Sequence, residues 1–254
     1  MTTAIIIPAR YESTRFPGKP LAKISDKPMI EWVINAAKGS KLADKIIVAT
    51  EDQRIFDFVK NNLKVEACIT SKEHKCGTDR ICEVVKKYSD IKYVVNLQGD
   101  EPLMPSNYID KVLEPLLSNQ AQMTSLIAPL SNTEDLNNPN IVKAVMDKDN
   151  FALYFSRSQI PFNRDEKRDN RKNIKYFRHI GIYGYSRETI LKFSLLPPST
   201  LEIAEQLEQL RCLENGIKIK LSVVQKSYPA VDRLEDIGIV EKILNEPRHC
   251  EEVH

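Results

Sequence analysis

The sequence predicts an α/β fold: a single nucleotide-binding type of domain on a mixed, mostly parallel sheet with helices on its faces. Three observations carry this. Short apolar strands alternate with amphipathic helices along the first hundred residues. The connections between them are short. Ligand-type residues collect where strands end, residues 10–19 after the first and 98–101 after a later one, and open α/β sheets bind ligands beyond the carboxyl ends of their strands.

Each element has its own warrant. Residues 4–7 are a short apolar run and read as a buried strand. Met29, Ile30, Val33, Ile34 and Ala37 recur at helical spacing and predict a helix over 29–37. Residues 45–49 read as a strand, 52–60 as a helix with Ile55, Phe56 and Val59 on one face, and 65–69 as a strand. A helix over 78–87 opens with Thr78 and Asp79 as cap candidates, and a strand over 93–97 follows. The second half is less regular. Residues 141–146 and 152–155 read as strands around a polar turn. The charged stretch 163–178 reads as a solvated loop, with a lid or an oligomer arm as the sharper alternative. Residues 179–185 resume an apolar strand whose glycines suit a close approach. A helix is predicted over 201–215, with Ile203, Leu207, Leu210 and Leu213 in one stripe and Gly216 just past its end. A strand over 218–224 and a helix over 231–244 complete the series. No repeat is visible and no linker divides the chain.

Composition bounds the function. The 254 residues suffice for a full core, and the formal charge of +2 asks for neither nucleic acid nor a membrane surface. No apolar run reaches the roughly 18 residues of a membrane span. The start of the chain lacks the basic–apolar–small pattern of a signal peptide. Cys68, Cys76, Cys82, Cys212 and Cys250 form no CxxC pair, so the expectation is a reduced, cytoplasmic protein. The histidines have no metal-type spacing, which argues against zinc.

The chemistry-bearing residues sit at the strand ends. Arg10, Arg15 and Lys19 lie on one loop whose path Pro17, Gly18 and Pro20 constrain. Such a loop suits a polyanion, most simply a triphosphate, with Arg supplying geometry and Lys a mobile charge. A solvated basic turn is the plain alternative. The loop matches neither the P-loop nor the dinucleotide fingerprint. Asp100, in Gln98-Gly99-Asp100-Glu101-Pro102, should face the same crevice. A carboxylate beside a triphosphate is repelled unless a cation lies between them, and oxygen ligands with phosphates are what Mg²⁺ prefers. Asp232 either faces that crevice or caps the last helix.

The segments 6–21, 76–80, 96–103, 152–162, 178–185, 207–216 and 231–237 together resemble the 3-deoxy-manno-octulosonate cytidylyltransferase (CMP-Kdo synthetase) family, in order and over nearly the whole chain. The resemblance implies a glycosyltransferase-A-type domain over 1–246. Its nucleotide-binding half spans about 1–105, a smaller sugar-binding and dimer-forming part spans about 106–246, and 247–254 read as a flexible tail. It implies an Mg²⁺-dependent homodimer that couples CTP to Kdo, or to a close analogue, and releases pyrophosphate. By the same resemblance Pro8, Ala9, Arg10, Arg15, Lys19, Cys76, Gly77, Thr78 and Gln98 would hold the nucleotide. Lys19, Arg15 and Asp100 would be catalytic, and Asp100 and Asp232 would hold the metal. Gln98, Arg157, His179, Tyr185, Glu208 and Gln209 would line the sugar site. Each has a plainer reading: His179 and Tyr185 as strand core, Glu208 and Gln209 as a wet helix face. The rival functions are a cytidylyltransferase for a sialic-type acid, a nucleotidyltransferase acting on a sugar 1-phosphate, and a non-catalytic nucleotide-binding homologue. The chain departs from the family pattern at Cys76, where serine is usual, and at Arg233 beside Asp232, which either tunes the metal or faces solvent.

Overall fold

Strand β1 (Thr2–Ala9) is buried from Thr3 onward, an unbroken apolar run that belongs to a strand covered on both faces. In the computed structural model, which describes residues 2–12, 15–74, 76–130, 132–164 and 174–246, β1 pairs in parallel with β4 (Lys45–Thr50) and with β6 (Ile91–Asn96). Strand β5 (Glu66–Ile69) adds in parallel outside β4. Beyond β6 lie β10 (Tyr176–Ser186), β7 (Met123–Leu130) and β11 (Lys220–Val223), giving the order β11-β7-β10-β6-β1-β4-β5. Only β10 runs against the rest of that row, so the sheet is mixed and mostly parallel. Strands β8 (Lys143–Met146) and β9 (Ala152–Ser156) form an antiparallel pair on the outer part of β10. A small hairpin joins β2 (Lys23–Ile24) and β3 (Lys27–Pro28). Strand β10 comes late in the chain yet lies between β6 and β7, so one sheet continues across residue 105.

Helices cover both faces. On one, α1 (Met29–Lys38), α2 (Gln53–Asp57) and α4 (Ser106–Leu117) bury Ile30, Val33, Ile55, Ile109 and Val112 against Ile5, Ile7 and Val95. On the other, α3 (Gly77–Lys87), α6 (Arg187–Phe193) and α8 (Gln209–Glu214) bury Ile81, Val84, Ile190 and Leu210 against Ile6, Ile47 and Val94. The period-two geometry of the strands sorts the even and odd residues of β1 between these two cores. Helices α5 (Thr133–Asn137) and α7 (Thr200–Glu205) are short. Helix α9 (Asp236–Asn245) closes a third, small cluster of Ile24, Met29, Val231 and Val240, with Phe16 and Trp32 packed on it.

Several sequence expectations are corrected. The helix expected over 201–215 is two helices, because Gln206 adopts a left-handed backbone (φ 54°) at the end of α7. The Glu205 and Gln206 carbonyls there accept bonds from Arg157 instead of continuing the helix, and Ile203 leaves the stripe at 59% exposed. Neither Thr78 nor Asp79 caps α3; Cys76 holds the N-cap position without a side-chain bond. The last helix starts at Asp236 rather than 231. Elements α4, β7 and α6 have no counterpart in the sequence reading. Gly216 ends α8 as expected, at φ 73° with bonds from Gly216 and Ile217 back to Leu213 and Cys212. Cys68, Cys76, Cys82 and Cys212 are free thiols. Cys250, the tail 247–254 and residues 165–173 of the charged stretch lie outside the described residues. Among the described residues no helix is long and apolar enough to cross a membrane.

Gly184 on β10 permits close packing of α4 on the sheet. A Cβ there would meet Thr124 Oγ1, and would lie 2.7 Å from Val112 and 2.8 Å from Leu116. Gly184→Ala should therefore destabilise the protein by about 1–3 kcal/mol through overpacking, read as a lower urea midpoint with an unchanged slope. An unchanged midpoint would show that α4 can move aside freely.

Candidate active site

The end of β1, the end of β6 and the start of α3 converge, and glycines permit the approach. A Cβ on Gly99 would stand 2.8 Å from the Pro8 carbonyl oxygen, and one on Gly77 would stand 3.3 Å from the Pro8 ring and 3.7 Å from Gln98 Oε1. Pro8, Ala9, Gly77, Gln98 and Asp100 therefore share one crevice floor. This is the site expected from strand polarity.

The basic loop folds over that floor. Gly18 sits at φ 73° and starts a single turn of tight helix, Lys19–Leu21, with Pro20 buried inside it. That turn aims Lys19 inward: its Nζ lies 2.6 Å from Asp100 Oδ2 and donates to the Val231 carbonyl at 3.0 Å. The Val231 amide donates back to the Asp100 carbonyl at 2.9 Å. Asp232 follows at once, 3.3 Å from Arg15, so the two acidic positions and two of the three loop cations meet. Asp232 is not the cap of α9; Asp236 Oδ2 accepts the amides of Asp232 and Arg233 instead. The Arg233 side chain points outward to Glu235 at 3.5 Å and is 65% exposed, which is the solvent-facing alternative.

Arg10 goes elsewhere, donating to the His74 carbonyl at 2.7 Å. Beside it the loop is braced from below. Glu51 accepts the Tyr11 amide at 3.1 Å, and Arg80 Nη2 lies 2.7 Å from Glu51 Oε2. Arg80 is 1% exposed and also bonds the Thr70 hydroxyl. Sequence reading missed this brace because its members come from three separated segments.

On the far side of the crevice, the Thr78 hydroxyl donates to Glu208 at 3.0 Å and the Gln98 amide to Asn96 at 2.9 Å. Gln209 is 4% exposed, and its Nε2 is buried without a partner. A buried amide donor left bare is costly, and a ligand oxygen would satisfy it. Cys76, at the same turn, has its thiol pushed up to about 12, by burial first and Glu208 next, so it stays a neutral thiol.

Of three further residues expected at the sugar, Tyr185 lies in the core, and His179 and Arg157 have partners within the protein. Tyr185 is 3% exposed and packs in the core beneath α3 and α6. A bulge in β10 between Ile180 and Tyr183 shifts its register against β7, and Tyr183 is the ring beside His179, at 5.3 Å. His179 shares a 2.9 Å hydrogen bond with Ser125 and packs edge-on to Phe155 at 4.9 Å. Burial first, then Arg178, pushes it down to about 3, so it is a neutral ring and not a cation for an acid. Arg157 donates from Nε to Glu205 O at 2.7 Å, from Nη1 to Pro139 O at 2.9 Å and from Nη2 to Gln206 O at 3.3 Å. Its side-on fork is closed by the α7–α8 turn, whose bend sequence patterning does not reveal.

Two further groups at the crevice carried no signal of their own. Glu101 is held with its carboxyl pushed up to about 8, chiefly by burial and then by Asp100. Arg178, on β10, has an Nε that is buried and unpartnered.

Asp100 and Asp232 offer hard oxygens on two loops that the Val231–Asp100 bond ties together, with side-chain exposures of 30% and 54%. Among the described residues no group of three or more acidic, His or Cys side chains could hold a metal by itself. Two carboxylates with the other positions left to phosphate and water form a donor set that fits Mg²⁺.

The sequence signature of the cytidylyltransferase family matches residues 4–219. A 3-deoxy-manno-octulosonate cytidylyltransferase of Thermodesulfovibrio yellowstonii is 46% identical over 96% of this chain and 99% of its own length. One of Fusobacterium nucleatum is 46% identical over 94% of each. A solved CMP:2-keto-3-deoxy-manno-octonic acid synthetase complexed with CTP superposes with a TM-score of 0.90 at 36% identity, covering 96% of this chain and 98% of that one. A 4-diphosphocytidyl-2C-methyl-D-erythritol synthase of Anaerococcus prevotii shares the fold at a TM-score of 0.63 and 13% identity.

The Arg80–Glu51 brace makes a prediction. Arg80→Met leaves a carboxylate without its buried partner, and should cost about 3–5 kcal/mol of stability in chemical denaturation. It should also open the loop after Tyr11 to limited proteolysis. A variant as stable and as protease-resistant as the parent would show that the pair does not hold the loop.

Proposed function

The chain belongs to the cytidylyltransferase family and, within it, to the 3-deoxy-manno-octulosonate cytidylyltransferases, and from that premise we propose that it transfers CMP from CTP to the anomeric hydroxyl of a 3-deoxy-ulosonic acid. Kdo, or a close analogue such as an amino-substituted Kdo, is the acceptor, and the product feeds lipopolysaccharide or capsule assembly. The observation that carries this reading is the Lys19–Asp100 contact at 2.6 Å. It puts a phosphate-type cation and a metal-type carboxylate at one point of one crevice.

The reaction is an in-line displacement at the α-phosphorus, which demands positioning and charge neutralisation more than covalent catalysis. The anomeric oxygen forms the new bond to phosphorus as the bond to the bridging oxygen of pyrophosphate breaks, and the hydroxyl proton passes to water. Lys19 and Arg15 exchange their carboxylate partners for the β- and γ-phosphates and neutralise the departing pyrophosphate. Asp100 and Asp232, released from those cations, are the residues that would hold magnesium. Magnesium bound there supplies charge neutralisation of the triphosphate and polarisation of the attacking hydroxyl. Pro8, Ala9, Arg10, Gly77 and Thr78 hold the nucleotide, with the backbone amides at the start of α3 available to it. Gln98, Glu208 and Gln209 face the sugar. A homodimer formed through the later part of the chain, in the cytoplasm, completes the reading; exposed Leu153 and Phe162, at 62% and 82%, support a contact there.

Pyrophosphate release from CTP and Mg²⁺, assayed with Kdo, a sialic acid and a sugar 1-phosphate as acceptors, tests the function. Turnover with Kdo or its amino analogue alone is expected; turnover only with another acceptor would overturn the assignment. Asp100→Asn should lower kcat roughly a hundredfold or more without unfolding the protein, and a folded variant with most of its activity would remove Asp100 from the mechanism. Lys19→Ala should weaken CTP binding by about 1.5–3 kcal/mol in calorimetry, the value of one charge-assisted contact. Unchanged affinity would leave the loop a solvated turn.

A further inference from the structure

A lysine is a point charge on a flexible four-carbon stem, so the reach of its ammonium is set by where its Cα is held. Lys19 touches Asp100 Oδ2 and the Val231 carbonyl, but both contacts are made by its Nζ and neither fixes the backbone that carries it. That backbone leaves the basic loop at a neck made by Tyr11 and Gly18. The Gly18 amide donates to the Tyr11 carbonyl at 2.8 Å, which ties the two ends of the loop together just before Lys19. Gly18 has φ 73°, and a Cβ there would stand 3.2 Å from both Cζ and Oη of the Tyr11 ring. The phenol end of Tyr11 therefore lies directly against the Gly18 backbone, in space that a side chain at position 18 would contest.

The ring is held in turn. Arg54 covers its face, with the guanidinium carbon 3.4 Å from the ring centroid. The Arg54 side chain is 59% exposed, yet it is fixed at two points: Nε donates to Asp52 Oδ1 at 2.9 Å and Nη2 to Asp52 Oδ2 at 2.6 Å. This grip uses the edge of the guanidinium and leaves its flat face for the ring. Asp52 is itself anchored, because its Oδ1 also accepts the Arg54 amide at the start of α2. Tyr11 is further tied down through its amide on Glu51, and it packs on the apolar cluster that includes Ile55 of α2. Helix α2 thus fixes Tyr11, Tyr11 fixes Gly18, and Gly18 begins the tight turn that aims Lys19.

We propose that Tyr11, clamped by Arg54, is a positioning residue for Lys19: the neck holds the Lys19 backbone so that its ammonium swings from Asp100 to the triphosphate about one fixed point. The inference rests on the reading of Lys19 as a phosphate-binding cation. It assigns Tyr11 and Arg54 to the handling of CTP and gives them no part in choosing the acceptor.

The test is a double-mutant cycle read by calorimetric titration of CTP with Mg²⁺, without acceptor. Tyr11→Ala should weaken CTP binding by about tenfold, and Arg54→Met by about two- to fivefold, the value of one exposed cation–π contact. Tyr11→Phe keeps the ring and should stay within about twofold of the parent. In a Lys19→Ala background, Tyr11→Ala and Arg54→Met should each cost less than about twofold more, because the group they position is gone. A ring that only supports the fold would cost the same in both backgrounds. In turnover assays KM for CTP should rise while KM for Kdo stays unchanged. Losses as large without Lys19 as with it overturn the proposal, as does a Tyr11→Ala or Arg54→Met enzyme with the parent's CTP affinity. If Tyr11→Ala does not fold, Arg54→Met carries the same cycle, since its side chain is exposed. A parent enzyme that binds no CTP, or a Lys19→Ala enzyme that loses no affinity, overturns the reading of Lys19 itself, a result distinct from the others.

Discussion

The contact between Lys19 and Asp100 joins three parts of the chain that are far apart in sequence. The Lys19 ammonium lies on Asp100 Oδ2 at 2.6 Å and also reaches the Val231 carbonyl at 3.0 Å. The Val231 amide returns to the Asp100 carbonyl at 2.9 Å. The phosphate-type loop, the end of β6 and the approach to α9 are thus closed into one ring of bonds. The apolar cluster of Ile24, Met29, Val231 and Val240 lies under it and keeps water from competing at its base. In a partly buried setting such a pair is stronger than a surface ion pair, though neither partner is fully desolvated. It also holds the crevice electrically balanced until an anion arrives to take the cation.

That balance explains how one site can be stable empty and receptive to a triphosphate. Arg15 with Asp232 repeats the motif at the rim, at 3.3 Å and largely in water. In the proposed reaction both carboxylates give up their cations to the phosphates, and two freed carboxylates beside phosphate oxygens would be a seat for a hard divalent ion. Beneath the loop, Glu51 and Arg80 supply what the rim pairs cannot, a fixed point in low dielectric for the Tyr11 amide. In the proposed reaction the outer pairs exchange partners and the inner pair keeps its own.

Buried polar atoms of Glu51, Arg80, Arg178, Ser199 and Gln209 have no hydrogen-bond partner among the described residues. Gln209 Nε2 and Arg178 Nε are buried and unpartnered, and they lie on opposite faces of the same sheet around the crevice. Of the groups that the family resemblance assigned to the acceptor, Gln209 keeps this bare donor, whereas His179 Nε2 shares a bond with the Ser125 hydroxyl and Arg157 bonds backbone carbonyls. A residue's chemistry says what it can bind; its remaining valences decide what it does bind.

Local pattern determined much of this protein. The apolar run of β1, the helical spacing of α1, and Gly216 at the end of α8 act within a few residues, so each was legible in sequence order. So was the meeting of Lys19 with Asp100, because strand polarity sends both loops to one edge. Where the spacing was broken by distant partners, the reading failed. The bend at Gln206 is set by Arg157, and the Ser125 hydroxyl bonds to the Ile180 and Ile182 carbonyls fasten the bulge that moves Tyr183, not Tyr185, beside His179. The freedom of Arg178 and the closure of Arg157 were decided by tertiary structure alone, since hydrogen bonds between residues tens of positions apart leave no period in the sequence.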